Sequence, residues 1–229
     1  MIYQILLEEL PYLLQGVLII IELLILLLLL GLFVGIALSA MEVYGNFFLR
    51  QSARAFIRIF RGVPATVLLF LVYYGISGLY DIPSFAAAVL ALGLRSAAYQ
   101  SQIFRGAIES IPSGQMKAAH AIGMNKIQGV FFIILPQALR LSIGPWSNEF
   151  SSELKATSLA YLVGVVELLR RGKYIVSYTY GNALVVFVFC GVIYFILTRL
   201  GNNLLYKFET RISVPGFERR DVRESTIKG

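Results

Sequence analysis

Arg95, in the stretch LALGLRSAAYQ, sets a guanidinium in an almost wholly apolar run, with Ser96 and Tyr99 beside it. Glu149 and Glu153 lie four residues apart, which puts both carboxyls on one face of a helix, and Lys155, Thr157 and Ser158 follow. Together such groups suit recognition. A guanidinium holds a carboxylate by a two-point contact, and Glu153 with Thr157 and Ser158 forms a polar wall that receives an ammonium group. Each has a plainer alternative. Arg95 can be spent in an ion pair with Glu149 or Glu153 that locks a bundle, and the Glu153 segment can be a helix end turned to an interface. Glu22 interrupts another apolar run and reads either as functional or as reaching headgroups. The chain has one histidine, His120, in a polar stretch and one cysteine, Cys190, in an apolar one. Neither a metal site nor an internal disulfide is expected from them.

Composition says what must hold these groups. Of 229 residues, 58% are hydrophobic and 14% charged, and the mean hydropathy is +0.75. A soluble domain carries about a quarter of its residues charged, so lipid solvates much of this chain. Uncharged runs at Leu23–Met41, Gly62–Tyr80 and Tyr174–Thr198 approach or exceed the roughly 20 residues that cross a bilayer as helix. The reading is an all-α polytopic membrane protein. Five spans are expected, at about 12–40, 62–80, 83–107, 127–150 and 176–200. They form one transmembrane domain, 1–205, followed by a polar tail, 206–229, that reads as disordered.

The net charge of +7 fits cytoplasmic loops rather than nucleic acid. No lysine or arginine precedes Arg50, so a cleaved signal peptide is not expected and the first span is retained. Cations cluster at Arg50, Arg54, Arg58 and Arg61, at Arg105, Lys117 and Lys126, and after Thr198. The N-terminus offers Glu8 and Glu9, and the turn after the second span Asp81. The N-terminus is therefore expected outside and the C-terminus in the cytoplasm. Arg170, Arg171 and Lys173 object: either that segment dips back or the charge rule is locally broken. The row Arg50 to Arg61, interleaved with Phe47, Phe56, Ile57 and Phe60, reads as an interfacial amphipathic helix or as a plain topogenic loop. Trp146, Tyr178 and Tyr180 read as interfacial anchors.

One polar stretch sits between two spans: SGQMKAAHAIGMNKIQGVFFIILPQALR, Ser113 to Arg140. Ser113 is a helix N-cap type, and Gly123 stands where a helix ends left-handed. Ala118, Ala119 and Ala121 make the helix between them slim. Asn125 then caps a second helix, bent or opened at Pro136. A bland loop needs none of this punctuation. A short helix at about 113–124, lying along the cytoplasmic face, is suited to insertion into a groove on a soluble partner.

These residues resemble the EAA loop of ABC importer permeases. Lys117-Ala118-Ala119, then Gly123, then Ile133-Ile134-Leu135-Pro136 match its spacing throughout. FRGVPATVLLFLVYYG at Phe60–Gly75, AYQSQIFRGAIESIPSGQ at Ala98–Gln115 and NEFSSELKATSLAYLVGVVELLRRG at Asn148–Gly172 are similar to the polar amino acid (His/Gln/Arg-type) subfamily. One departure stands out: Lys117 occupies the position of the usual glutamate. Either the partner carries an acid there or the position is exposed and tolerant.

The resemblance implies a type I importer permease core without nucleotide chemistry of its own. The sequence agrees, since Gly172-Lys173 is the only Gly-Lys pair and no Gly-x-x-x-x-Gly-Lys-Ser/Thr occurs. Two cytoplasmic ATP-binding subunits would bind ATP and Mg, each docked on one of two permease chains, identical or different. A solute-binding protein would deliver a polar amino acid from outside. Gln115, Lys117, Ala118, Ala119, Ile122 and Gly123 would couple the ATPase, with Ala119 and Gly123 closest. Arg95, Glu149, Glu153, Thr157 and Ser158 would bind substrate. An ion-coupled secondary amino acid transporter is the main rival, since mid-depth charges suit it equally. Such proteins commonly show an internal repeat and ten or more spans, and neither is visible here.

Overall fold

The first apolar run folds as one helix, α1 (Leu10–Tyr44), 35 residues long. Pro11 lies in its first turn, where its missing N–H has no intrahelical bond to lose. The molecule is described here from a computed structural model over residues 8–77, 80–179 and 183–212. Every regular element among these residues is a helix. After α1 come α2 (Phe47–Gly62), α3 (Ala65–Ser77), α4 (Ser84–Ser110) and the short α5 (Gly114–Ala121). A four-residue α6 (Lys126–Gly129) leads through a π-helical turn, Val130–Ile134, into α7 (Leu135–Ala156). A 3₁₀ segment, Thr157–Val163, precedes α8 (Leu168–Tyr178) and the closing α9 (Ala183–Ile212).

The centre of the bundle is α1 laid along α4. Small residues let them approach: Ala87, Ala88, Ala91, Ala97 and Ala98 are fully buried. A Cβ at Gly31 would collide with the Gln100 side chain. Gln100 is itself fully buried, and its polar atoms all find partners. Its Nε2 donates to Leu28 O at 3.3 Å and to Ser96 Oγ at 3.1 Å, while Oε1 accepts from Trp146 Nε1 at 2.9 Å. Trp146 is thus a core group that ties α7 to α4, not the interfacial anchor expected from its type. Tyr178 ends α8, half exposed; Tyr180 lies outside the described residues.

Among the described residues three helices are long and apolar enough to cross a membrane: Leu10–Tyr44, Lys126–Val163 and Ala183–Arg211. The pair Phe47–Gly62 and Ala65–Ile76, bent by 106°, makes up to four. These cover the spans expected at 12–40 and 127–150. The span expected at 176–200 starts later, because α8 is a separate helix. That expected at 62–80 shrinks to the 13 residues of α3. The one at 83–107 falls on α4, helical throughout but too polar for the same criterion. Its Arg95, Ser96, Gln100 and Ser101 are shielded by neighbouring helices rather than by lipid. The expected domain border at 205 falls inside α9, which runs on to Ile212; residues 213–229 of the expected tail lie outside the described set.

The arginine row forms α2, a helix and not a loop. Asn46 caps it by accepting from Leu49 N at 3.0 Å, and Ala53 and Ile57 bury its inner face. The punctuation around residue 123 also holds, with one exception. Gly123 has φ of +87°, a left-handed conformation that side chains disfavour. Asn125 and Gln128 form a reciprocal capping box. The π-helical turn comes just before Pro136, whose ring cannot supply the next N–H. Ser113 is the exception: its side chain makes no cap bond. It already has helical angles, and its carbonyl accepts from Lys117 N at 3.3 Å.

Candidate functional site

Arg95 on α4 and Glu153 on α7 meet 58 positions apart in sequence. Arg95 Nη1 lies 2.6 Å from Glu153 Oε1, with the arginine side chain 18% exposed and the glutamate fully buried. Glu149, one turn earlier on α7, accepts from Ser96 Oγ at 3.2 Å. The four-residue spacing of the acids and the adjacency of Arg95 and Ser96 therefore do what the sequence suggests, aiming two carboxyls at one polar patch of α4. The Arg95 guanidinium also lies 4.7 Å from the centroid of the Tyr99 ring. Glu153 Oε2 is buried and accepts from no donor among the described residues, with the Glu149 carboxyl within hydrogen-bonding reach of the Glu153 carboxyl. An unsatisfied buried oxygen is costly, about 1–3 kcal/mol. A donor that reached it would recover that energy.

Thr157 and Ser158 do not join this cluster. Thr157 is buried and donates to Leu154 O at 2.6 Å, and Ser158 donates to Lys155 O at 2.7 Å. Both hydroxyls are spent on their own helix, because the chain tightens into the 3₁₀ segment there. Glu22 stays exposed on the outer side of α1.

The second candidate surface is α5 and the turn after it. Gln115, Lys117, Ala118 and Gly123 are exposed, and Ile122 stands 73% exposed. Ala119, expected to make one of the closest partner contacts, is only 2% exposed. It packs inward where Gly129 passes: a Cβ on that glycine would sit 3.5 Å from the Ala119 Cβ. Its small size serves the turn between α5 and α6. Lys126 Nζ donates to Tyr44 O at 3.2 Å, which sets this surface at the C-terminal end of α1.

Three groups escaped the sequence reading. Arg61 was read only as part of the arginine row, yet its guanidinium lies 4.9 Å from the same Tyr99 ring that Arg95 touches. Glu42 anchors the α5 end of the bundle, bonded to Arg54 at 3.3 Å, Arg105 at 2.9 Å and Gln102 at 2.9 Å. Its signal was present, a lone acid two residues from the end of α1 beside the arginine row. Glu167 caps α8, accepting from Leu169 N at 2.9 Å, Arg170 N at 2.8 Å and Tyr194 OH at 2.9 Å. Glutamate is not among the preferred N-cap types, so its place before the Leu-Leu-Arg-Arg run gave no local cap signal.

The chain is similar to known proteins over most of its length. Residues 27–214 match the family described as binding-protein-dependent transport system inner membrane component. The probable amino-acid permease protein YxeN of Bacillus subtilis (strain 168) is 39% identical over 73% of this chain and 76% of its own. The glutamine transport system permease protein GlnP of Escherichia coli (strain K12) is 31% identical over 80% and 85%. A crystal structure of an amino acid ABC transporter with histidines superposes with a TM-score of 0.81 at 29% identity, covering 90% of this chain and 96% of that one. These matches set aside the secondary-transporter alternative. The chain belongs to the family of inner membrane components of binding-protein-dependent transport systems, as a multi-pass permease subunit.

Proposed function

We propose that this permease carries a polar amino acid across the cytoplasmic membrane by alternating access, and that Arg95, Glu149 and Glu153 hold it. The observation that carries the reading is the buried Arg95–Glu153 pair with its one unsatisfied oxygen. A zwitterion presents a carboxylate to the guanidinium and an ammonium to Glu153 Oε2. With no substrate the two protein charges neutralise each other, as buried charges must. Substrate therefore replaces a pairing, and the helices that carry the partners shift as it does so.

The chain crosses the bilayer five times in this reading, with its N-terminus outside and its C-terminus in the cytoplasm. α4 supports the fifth crossing: 27 residues rise about 40 Å. It acts in a pair with a second permease chain, served by an extracytoplasmic binding protein. Two cytoplasmic ATPases bind ATP and Mg and dock on α5 and the Gly123 turn; this chain is not itself catalytic. Proteoliposomes holding the purified complex should take up amino acid only with internal ATP and binding protein, and continue when ion gradients are collapsed. Uptake driven by an ion gradient without ATP would overturn the assignment. For topology, a cysteine at Asp81 should react with an impermeant reagent from outside, and a reporter after Gly229 should read as cytoplasmic. The reverse pattern would invert the scheme.

A further inference from the structure

The cations Arg170, Arg171 and Lys173, anomalous under the proposed topology, fall on α8 at the end of the bundle opposite α5. Arg171 is structurally spent: its guanidinium donates to Tyr12 O at 3.1 Å and to Gln15 Oε1 at 3.0 Å. Arg170 is half spent, donating to Tyr161 O at 3.1 Å and Tyr174 OH at 2.8 Å. Lys173 is exposed, and among the described residues no carboxylate lies within ion-pair distance of it. Arg170 and Lys173 line a cavity of about 400 Å³ together with Tyr161, Tyr174 and Ser177. A second cavity, of about 430 Å³, shares Tyr161 and Lys173 but continues over Leu169, Val176 and Phe187. A third shares Leu169 and Phe187 and is bordered beyond them by Cys190 and Tyr194 of α9 and by Lys155 and Ser158.

Two adjoining cavities thus pass from a cationic, hydroxyl-lined end to an apolar one beside a bilayer-crossing helix. That is the shape and polarity of an amphiphile with an anionic head. We propose that together they bind an anionic phospholipid of the outer leaflet, with the phosphate on Lys173 and Arg170 and an acyl chain along Leu169, Val176 and Phe187. The lipid supplies the negative charge that makes cations tolerable on this side, resolving their conflict with the loop-charge rule. An acidic side chain of a docking protein would satisfy the cations too. It would leave the apolar cavity unused, which is why the pair favours lipid.

The proposal rests on the topology given above but not on the substrate assignment. The test uses the full chain in nanodiscs of phosphatidylcholine, with and without phosphatidylglycerol, and native mass spectrometry to count retained lipid. Wild type should retain phosphatidylglycerol over phosphatidylcholine, and Lys173→Gln should weaken that retention about fivefold, the worth of one interfacial cation. Lys207→Gln, at the opposite end, should leave it unchanged. Phe187→Ala should shorten retention of dioleoyl but not dihexanoyl phosphatidylglycerol. Equal retention of both lipid classes, or an unaltered count in Lys173→Gln, would overturn the site. So would a Lys173→Gln variant that keeps its lipid but loses binding-protein docking, which would assign the cations to a protein partner. Displacement of the lipid by inorganic phosphate at equal concentration would reduce the site to a headgroup pocket and overturn the acyl site.

Discussion

Arg95→Ala is expected to abolish amino acid uptake and substrate-stimulated ATP hydrolysis while basal hydrolysis by the docked ATPase persists. Removing one partner of a buried ion pair costs about 3–5 kcal/mol, and a loss of 3 kcal/mol corresponds to roughly 100-fold. Part of that cost is stability, because Glu153 would be left buried and unpaired. The double variant Arg95→Ala/Glu153→Gln separates the two effects. It removes the stranded charge, so the chain should regain its yield and melting temperature yet still fail to transport. Arg95→Lys should restore little, since an ammonium does not reproduce the forked contact to a carboxylate. Normal uptake by Arg95→Ala in a folded transporter would mean that the pair only locks the bundle.

Gly123→Leu is expected to leave the permease folded, reduce transport about tenfold and release the ATPase during purification, a loss of roughly 1.4 kcal/mol in docking. Among the described residues nothing beyond its chain neighbours lies within 4 Å of a Cβ built at Gly123, so the added bulk is left to meet what docks there. The left-handed φ of +87° adds strain of about 1–2 kcal/mol for a residue with a side chain. Gly123→Asn separates bulk from strain, because asparagine tolerates that conformation better. If backbone strain were the whole effect, the asparagine variant would transport nearly normally. A parallel Ala119→Leu change should instead impair folding, since Ala119 is packed inside the chain. Undiminished transport by Gly123→Leu would remove α5 and its turn from the coupling surface.

Legibility followed the range of each interaction. The Gly123 turn, the Asn125 cap and the break before Pro136 depend on a handful of consecutive residues, and all three were readable. The helical spacing of the arginine row was readable too, though it left a plain loop open. Ser113 misled because a capping side chain is defined by its own backbone angles, and here those are already helical. Trp146 misled for another reason. A lone tryptophan in an apolar chain suits an interface on average, but Gln100 sits opposite it in the core and accepts its N–H. Ala119 misled likewise, since small residues permit a close approach without saying which neighbour makes it.

By itself the sequence determined an all-helical chain solvated by lipid, the family it belongs to, and the spacing that sets Glu149 and Glu153 on one helix face. Composition and periodicity suffice for the first and the last, being sums over neighbouring residues, while the family rests on the resemblance of motifs spread along the chain. Only the tertiary structure decided which of the two acids takes Arg95, that Arg61 shares the Tyr99 ring, and that Thr157 and Ser158 turn back on their own helix. It also decided that the anomalous cations on α8 border adjoining cationic and apolar cavities. Each of those depends on how far one helix is rotated and slid against another. That register is set by the summed packing of whole faces, such as Gly31 against Gln100, and no local stretch of sequence encodes it.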